Sequence, residues 1–231
     1  GFGSRNGSAQ DGALGLHASS RPGARRGTGG EHFSGHHPDP GDDPDLRAQD
    51  PGHGGRQTGA IAGGVKEKDL NLLIAKQIKE ALEEKGVTVI MTRTDDTELD
   101  LPSRPAAAGK NGADIFISIH CNACGIPDKM SGVETYYHPA QPSSRALAAA
   151  IHDAVIKKTG LKDRSIRERS GLAVLRHSSV PAVLLECGYL DNSKDRALLL
   201  SSDFRKKFAS SIAEGLRVYV EGVSAAGRGE E

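Results

Sequence analysis

A regular alternation of strand-like and helix-like segments from residue 67 onward is the feature that most constrains how this chain folds. The run 113–120, Ala-Asp-Ile-Phe-Ile-Ser-Ile-His, is the clearest strand because it is short, apolar and rich in isoleucine. Further strands are predicted at 87–92, 132–137, 172–176 and 182–186. We expect 87–92 to be buried on both faces, as in a parallel sheet.

Helices are predicted where apolar residues recur at helical spacing. The first begins at Glu67 and ends near Gly86, and a short one follows Pro102 and runs to about residue 111. The apolar positions of the three longer helices are Leu70, Ile74, Ile78, Ala81 and Leu82, then Leu147, Ile151, Ala154 and Val155, then Phe204, Phe208, Ile212, Leu216 and Tyr219. The charged segment 163–170 is predicted as a loop. This order predicts an α/β fold, a single domain with a mainly parallel twisted sheet and helices on both faces.

Domain boundaries are predicted from changes in composition. Residues 1–49 are rich in glycine, histidine and proline and lack apolar periodicity, so they are predicted to be a disordered or foreign tail before a catalytic domain at 50–221. Residues 222–231 are predicted to be a flexible C-terminal tail. An α/β fold needs a strand before residue 50, yet 44–50 contains no apolar run. Either the first strand is lost or replaced, or residues up to about 49 are foreign to the domain.

Composition excludes several classes of partner. With 30 basic and 30 acidic residues, no tryptophan and 4% aromatic residues, the chain gives no reason to expect nucleic acid as a partner. It contains no apolar run long enough to span a bilayer, and no signal segment is visible in it. Three cysteines cannot form a disulfide framework. Cys121 and Cys124 form a C-x-x-C pattern, for which reduced or incidental thiols are favoured over a redox pair or half of a zinc site.

Four side chains lie at loop, helix-start and strand-end positions, where an α/β fold binds its ligands. They are His53 in the glycine-rich loop 50–55, Glu67, His120 and Glu186. Three nitrogen or oxygen ligands with one open position are what a hydrolytic zinc site requires. Each of three residues also has a role that needs no metal. His53 could be solvated, Glu67 could be a carboxylate stabilised by the dipole at the start of its helix, and His120 could cap a buried strand. A buried, unpaired carboxylate at Glu186 would be costly, so a simple packing role is less favoured there.

Six short strings occur in an order and spacing that resemble the zinc-dependent N-acetylmuramoyl-L-alanine amidases, specifically the amidase type 3 family of bacterial cell-wall hydrolases. They are Asp-Pro-Gly-His-Gly-Gly at 50–55, Glu-Lys-Asp-Leu-Asn-Leu at 67–72, Thr-Arg at 92–93, Ser-Ile-His-Cys-Asn-Ala at 118–123, Gly-Val-Glu-Thr-Tyr-Tyr at 132–137 and Pro-Ala-Val-Leu-Leu-Glu at 181–186. The resemblance covers about residues 50–221. It does not cover residues 1–49.

The resemblance implies a substrate, a cofactor and a role for each of the four side chains. Peptidoglycan would be cut at the amide between N-acetylmuramic acid and the L-alanine of the stem peptide. His53, Glu67 and His120 would bind Zn²⁺, and Glu186 would be the catalytic carboxylate, taking a proton from the attacking water and returning it to the released amine.

Arg93, Arg104 and Asn122 are candidates for binding the substrate. Arg93 and Arg104 match family positions, although arginines near strand ends often hold loops together instead. Asn122 follows His120 closely, so orienting that loop is its alternative role.

The short connection after the strand at 132–137 bears on how the site is regulated. Some family members carry a long insertion that covers the zinc after the strand at 132–137, whereas here the next helix follows almost at once, so we expect an open, unregulated site. We also expect a monomer that acts outside the cytoplasm, in the cell wall or periplasm. Two alternatives remain: a zinc amidohydrolase or carboxypeptidase acting on other peptides, and an inactive wall-binding domain.

Overall fold

The computed structural model describes residues 45–227, which contain a six-stranded sheet and a two-stranded sheet. The strands are β1 (Arg47–Pro51), β2 (Ile61–Ala62), β3 (Val65–Lys66), β4 (Val89–Met91), β5 (Ile115–Asn122), β6 (Val133–Tyr137), β7 (Asp163–Glu168) and β8 (Ala182–Tyr189). The helices are α1 (Glu67–Glu83), α2 (Ser103–Lys110), α3 (Pro142–Thr159), α4 (Ala173–Arg176), α5 (Ser193–Leu200) and α6 (Ser202–Gly227). None of these helices combines the length and apolarity needed to cross a bilayer.

The large sheet has the strand order β4-β1-β5-β8-β6-β7. Each neighbouring pair is parallel except β6 with β8. Helices α1, α3 and α6 pack their apolar residues on one face of the sheet, and α2 and α4 pack on the other. The predicted α/β fold, a mainly parallel sheet with helices on both faces, is confirmed.

Strand β1 occupies the position for which the sequence left two alternatives, a lost or replaced first strand or a foreign segment up to about residue 49. It pairs in parallel with both β4 and β5, and all five of its residues are buried. Residues 47–49 therefore belong to the sheet and are not foreign to it. The part of the predicted tail at 1–44 lies outside the described residues. At the other end, α6 continues to Gly227, beyond the predicted domain end at residue 221.

A strand with so few apolar residues can be buried because its charged side chains are paired. Arg47 donates from Nη1 to Asp114 at 2.9 Å, and Asp50 accepts from Nη1 of Arg104 at 2.9 Å. The Asp50 carboxylate also accepts from the hydroxyl of Ser118 at 2.7 Å. Since buried polar groups are costly only when they lack partners, these contacts replace the apolar run that a strand normally needs.

Three other elements differ from the prediction. Segment 163–170 was predicted as a loop because it is rich in charged residues. It contains strand β7, and a strand at the edge of a sheet can expose such side chains to solvent. Segment 172–176 contains the short helix α4 instead of a strand; its buried Val174 and Leu175 form an apolar run that does not distinguish the two structures. Strand β4 is shorter than predicted and lies at the sheet edge, so it is not fully buried.

The face covered by α2 and α4 changes character along its two central strands. Phe116 on β5 and Leu184 on β8 belong to the apolar core on this face. Because side chains on one face recur every second residue, Ser118, His120 and Glu186 lie on the same face further along these strands. The face thus turns polar toward the carboxyl ends of β5 and β8, where the candidate site lies.

Candidate active site

The loop after β1 positions His53 with an uncommon backbone conformation. Its φ of 63° is left-handed, which a residue with a side chain adopts only when its surroundings enforce it. Nη2 of Arg104 donates to the carbonyl of His53 at 2.8 Å. Arg93 donates from Nε to the carbonyl of Pro51 at 2.8 Å and from Nη2 to that of Gly52 at 3.0 Å. Two buried guanidinium groups therefore fix the backbone that carries His53.

Glu67 is the first residue of α1 and lies between the two histidines. Its Oε1 is 3.2 Å from Nε2 of His53 and 2.9 Å from Nδ1 of His120. Its Oε2 accepts from the backbone N–H of Ala60 at 2.9 Å. Asn71, one turn further along α1, donates to Oε1 at 3.3 Å. The carboxylate is thus held in one orientation, with one oxygen directed at both imidazoles.

Two glycines leave the space that the three side chains occupy. A Cβ added to Gly52 would lie 2.2 Å from Cε1 and Nε2 of His120. A Cβ added to Gly59 would lie 2.4 Å from Oε2 of Glu67 and 2.6 Å from the ring of His53. The glycine-rich sequence around residue 53 therefore provides room for the side chains as well as a tight turn.

Mutual contacts control the charge of this cluster. Burial alone would raise the pKa of Glu67, but hydrogen bonds with His120 and His53 hold that pKa well below its usual range. Burial opposes the protonated form of His120, yet its hydrogen bond to Glu67 and the nearby charge of Glu186 raise the pKa of His120 overall. The cluster thus contains an ionised carboxylate between two imidazoles.

The donor atoms of the three residues suit a metal ion. One ligand atom from each of His53, Glu67 and His120 lies within 4.8 Å of the other two. A tetrahedral ion with ligands at about 2.0–2.1 Å holds those ligand atoms roughly 3.3 Å apart, so only small movements would close the three around one ion. Two imidazole nitrogens and one carboxylate oxygen are a donor set typical of catalytic zinc.

Glu186 lies beside this cluster on β8, opposite His120 of β5 in the parallel register. It was predicted at the end of a strand, but β8 continues for three residues beyond it. Burial raises the pKa of Glu186 to about 7, and the nearby charge of Glu67 acts in the same direction, against that of His120. Within residues 45–227, Oε2 of Glu186 is buried and has no hydrogen-bond partner. A half-buried carboxylate with one buried, unpartnered oxygen and a raised pKa is typical of a general acid or base.

A further buried carboxylate, Glu134 on β6, was not singled out from the sequence. It lies opposite Glu186 in the antiparallel register of β6 and β8. It accepts hydrogen bonds from Nε of Arg164 at 2.6 Å, from the hydroxyl of Tyr189 at 3.1 Å and from the hydroxyl of Tyr136. Burial and the Glu134 carboxylate raise the pKa of each tyrosine to about 12. Alternation along 132–137 is the signal that places Glu134 and Tyr136 on the same face.

The three candidates for substrate binding differ in their surroundings. Arg93 and Arg104 are only 4% and 1% exposed, and their contacts with backbone carbonyls and Asp50 favour a role in holding the loop. Asn122 is the last residue of β5 and partly exposed. Its Oδ1 accepts from the backbone N–H of Ala123 at 2.8 Å.

The thiols of the cysteines are directed away from the candidate metal ligands, although the backbone N–H of Cys121 donates to Oε1 of Glu67 at 3.3 Å. Cys121 and Cys187 are buried in the core beneath α1, α3 and α6, on the face opposite His120 and Glu186, and Cys124 is exposed. All three are free thiols. The neighbouring Cys187 thiol, together with burial, raises the pKa of Cys121.

The connection from β6 to α3 is short, as the sequence predicted. Only residues 138–141 separate the two elements. The side chain of His53 is 29% exposed and that of His120 is 17% exposed, so solvent reaches the cluster in the part of the chain that the structure describes.

The site combines two imidazoles and a carboxylate with a second carboxylate, Glu186, whose Oε2 has no partner. This arrangement, at the polar end of a mainly parallel sheet, is that of a metal-binding hydrolase. Residues 49–218 match the family model Amidase_3, described as N-acetylmuramoyl-L-alanine amidase. The chain belongs to this family of enzymes, which hydrolyse the peptidoglycan of the bacterial cell wall between N-acetylmuramic acid and the L-alanine of the stem peptide. The family predicted from the sequence is confirmed.

Known proteins support this assignment over most of the domain. The N-acetylmuramoyl-L-alanine amidase CwlM of Bacillus licheniformis is 38% identical over 170 residues, which are 72% of this chain and 65% of CwlM. The endolysin of Bacillus phage SPP1 is 40% identical over 174 residues, or 72% of this chain and 63% of the endolysin. A crystal structure of an N-acetylmuramoyl-L-alanine amidase from Clostridium difficile 630 has a TM-score of 0.74 and 32% identity, covering 78% of this chain and 98% of that one. The chain thus spans a little under two thirds of the length of CwlM and of the endolysin.

Proposed function

We propose that this amidase is zinc-dependent, that His53, Glu67 and His120 bind Zn²⁺, and that Glu186 is its general base and general acid. The observation that carries the proposal is the pairing of a nitrogen, nitrogen and oxygen donor set with the buried, unpartnered Oε2 of Glu186. An unsatisfied buried oxygen is costly, which supports a role for it in the reaction.

Glu186 has the properties that amide hydrolysis at neutral pH requires. With a pKa of about 7 it can accept a proton from water and later donate one to the departing amine of L-alanine. A Zn²⁺ ion bound by the three ligands would supply a Lewis acid that polarises the scissile carbonyl and lowers the pKa of water. Arg93 and Arg104 would support the reaction indirectly by holding the His53 loop, and the partly exposed Asn122 remains the candidate for contact with substrate.

The setting of the reaction is part of the same proposal. The enzyme acts outside the cytoplasm, in the wall or periplasm, as a monomer with an open site. The competing idea of an inactive wall-binding domain depended on a missing first strand, and β1 removes that reason.

The test combines metal analysis with product analysis on purified peptidoglycan. We expect about one zinc per chain and release of L-alanine amino termini, which a carboxypeptidase would not produce. Glu186→Gln should retain the metal while activity falls about 10²- to 10⁴-fold, the range for loss of a general acid or base. His120→Ala should lose both. Glu84→Gln, at an exposed position just after α1, removes a similar charge and should match the wild type. A Glu186→Gln variant with full activity would overturn the proposal.

A further inference from the structure

Strands β5 and β8, which carry His120 and Glu186, each place a cysteine on the opposite face of the sheet. Cys121 follows His120 directly, and Cys187 follows Glu186 directly. Both cysteine side chains belong to the apolar core beneath α1, α3 and α6, where they are 1% and 0% exposed. The core therefore contains two thiols on neighbouring strands, immediately behind the candidate site.

The register of the sheet places these two cysteines beside each other. The residues before them, His120 and Glu186, are paired, and the register then shifts by one residue before the next pair. Cys121 therefore faces Cys187 and Gly188 of β8 together. The Cys187 thiol raises the pKa of Cys121 more than burial does, as expected for a side chain in direct contact. The two thiols are thus neighbours in the folded domain.

Two features of this pair suit a disulfide. Neighbouring strands lie about 4.7–4.9 Å apart, within the range of roughly 4.4–6.8 Å that a disulfide needs between its α-carbons. Both side chains enter the same core, so the sulfur atoms can meet without rotation of either strand. The C-x-x-C pattern of the sequence does not provide this arrangement, because Cys124 is exposed in the loop after β5 whereas Cys121 is buried. Cys187, distant in the sequence, is the neighbour that suits Cys121.

We propose that Cys121 and Cys187 form a disulfide when the protein folds in oxidising surroundings, and that Cys124 stays outside this bond. The oxidant is a disulfide compound. One cysteine thiolate attacks it and releases one thiol, and the second cysteine then displaces the other thiol from the mixed disulfide. The two cysteines lose two electrons and two protons, and the oxidant is reduced to two thiols. Because both cysteines are buried in the folded domain, the exchange takes place before β8 has packed on β5.

The bond would join the two strands that carry the candidate site. It closes a loop of about 65 residues, and such a crosslink stabilises a protein mainly by restricting its unfolded chain. The folded domain should change little, because β5 and β8 are already paired there. The reduced protein should therefore fold to the same structure but be less resistant to heat. This inference does not rest on the proposed metal site; only the presence of the bond in the cell rests on the proposed setting outside the cytoplasm.

The test refolds the full chain from urea, once with a mixture of oxidised and reduced glutathione and once with a thiol reductant. With glutathione, we expect peptide mapping without reduction to find Cys121 linked to Cys187, and Cys124 outside the bond. Thermal unfolding should then occur roughly 10 °C higher than in the reduced protein, as expected for a loop of this length in a domain of this size. Three unlinked cysteines after refolding with glutathione, or a bond that includes Cys124, would overturn the proposal.

Two variants separate the bond from the packing of its cysteines. Cys124→Ser removes the exposed thiol and should keep both the linked peptide and the higher unfolding temperature of the oxidised protein. Cys187→Ala should unfold at the same temperature under both conditions, whatever the substitution itself costs in packing. If Cys187→Ala does not refold, the wild-type comparison decides, because it changes only the redox state. An equally large dependence on the redox state in Cys187→Ala would show that the Cys121–Cys187 bond is not its source.

Discussion

Replacement of Gly52 by alanine tests whether close packing places His120 for metal binding. The added Cβ would lie 2.2 Å from Cε1 and Nε2 of the ring. Since non-bonded carbon atoms approach to about 3.5–4.0 Å, the imidazole must move by about 1 Å or more. Gly52 lacks the positive φ of Gly54 and Gly55, so its backbone accepts alanine and only the clash is tested.

The expected result is a large loss of zinc affinity with a smaller loss of stability. Metal–ligand distances tolerate deviations of only about 0.2 Å, so a movement of this size removes a ligand. We expect Zn²⁺ affinity to fall by at least about 100-fold, beyond the 10- to 100-fold typical of residues that only support a ligand. The metal-free protein should lose about 1–3 kcal/mol of unfolding free energy through overpacking.

Competition with a chromophoric zinc chelator measures the affinity, and urea unfolding in EDTA measures the stability. Gly222→Ala is the control, because a Cβ at Gly222 in α6 meets no atom within 4 Å. It should leave zinc affinity unchanged and raise stability by about 0.5–1 kcal/mol. If Gly52→Ala binds zinc as tightly as the wild type, the idea that the space beside Gly52 positions His120 as a metal ligand is refuted.

Two further predictions concern buried charges. Arg104→Met leaves the fully buried Asp50 carboxylate without its ion pair, so the free energy of unfolding should fall by about 3–5 kcal/mol, as measured by urea unfolding. Adding Asp50→Asn should restore part of this loss. Strictly additive effects of the two substitutions would contradict the pairing. Glu134→Gln should cost about 2 kcal/mol at pH 7, because the carboxylate accepts a charge-assisted hydrogen bond from Arg164. Burial alone would raise the pKa of Glu134, but Tyr136, Arg164 and Tyr189 hold it below its usual range. Its stabilisation is therefore present above the unfolded pKa of about 4.3 and is lost as pH falls through the folded pKa, so the difference between wild type and Glu134→Gln should shrink below pH 4. A difference that does not change with pH would show that the charge of Glu134 is not what stabilises the fold.

The parts of the fold that follow from local pattern were predictable, and those that depend on distant partners were not. Strand β5 and helix α1 were predicted because their apolar spacing is visible in any short window. Strand β1 was missed because Asp50 is made compatible with burial by Arg104, 54 residues away, and by Ser118, 68 residues away. The charges of β7 are accommodated because the strand lies at the sheet edge, which depends on the order of all six strands.

The candidate site shows the same division. The four residues His53, Glu67, His120 and Glu186 stood out from the sequence as polar side chains at element boundaries and in strings resembling the family, and the structure brings them together. Their geometry was not predictable in detail, since Glu186 lies within β8 and not at its end. The contacts of Glu134 with Tyr189, 55 residues away, and with Arg164, 30 residues away, gave no local signal.

Long sequence separation between the site residues also affects when activity can appear during synthesis. His120 contacts Glu67 across 53 residues, and Glu186 joins them only when β8 pairs with β5. Contacts of this kind form late, because a long loop must close before any of them is gained. A nascent or truncated chain ending before β8 would contain all three candidate metal ligands but not the proposed base. On the proposed assignment of Glu186, the enzyme becomes competent only after β8 has been made and has paired with β5.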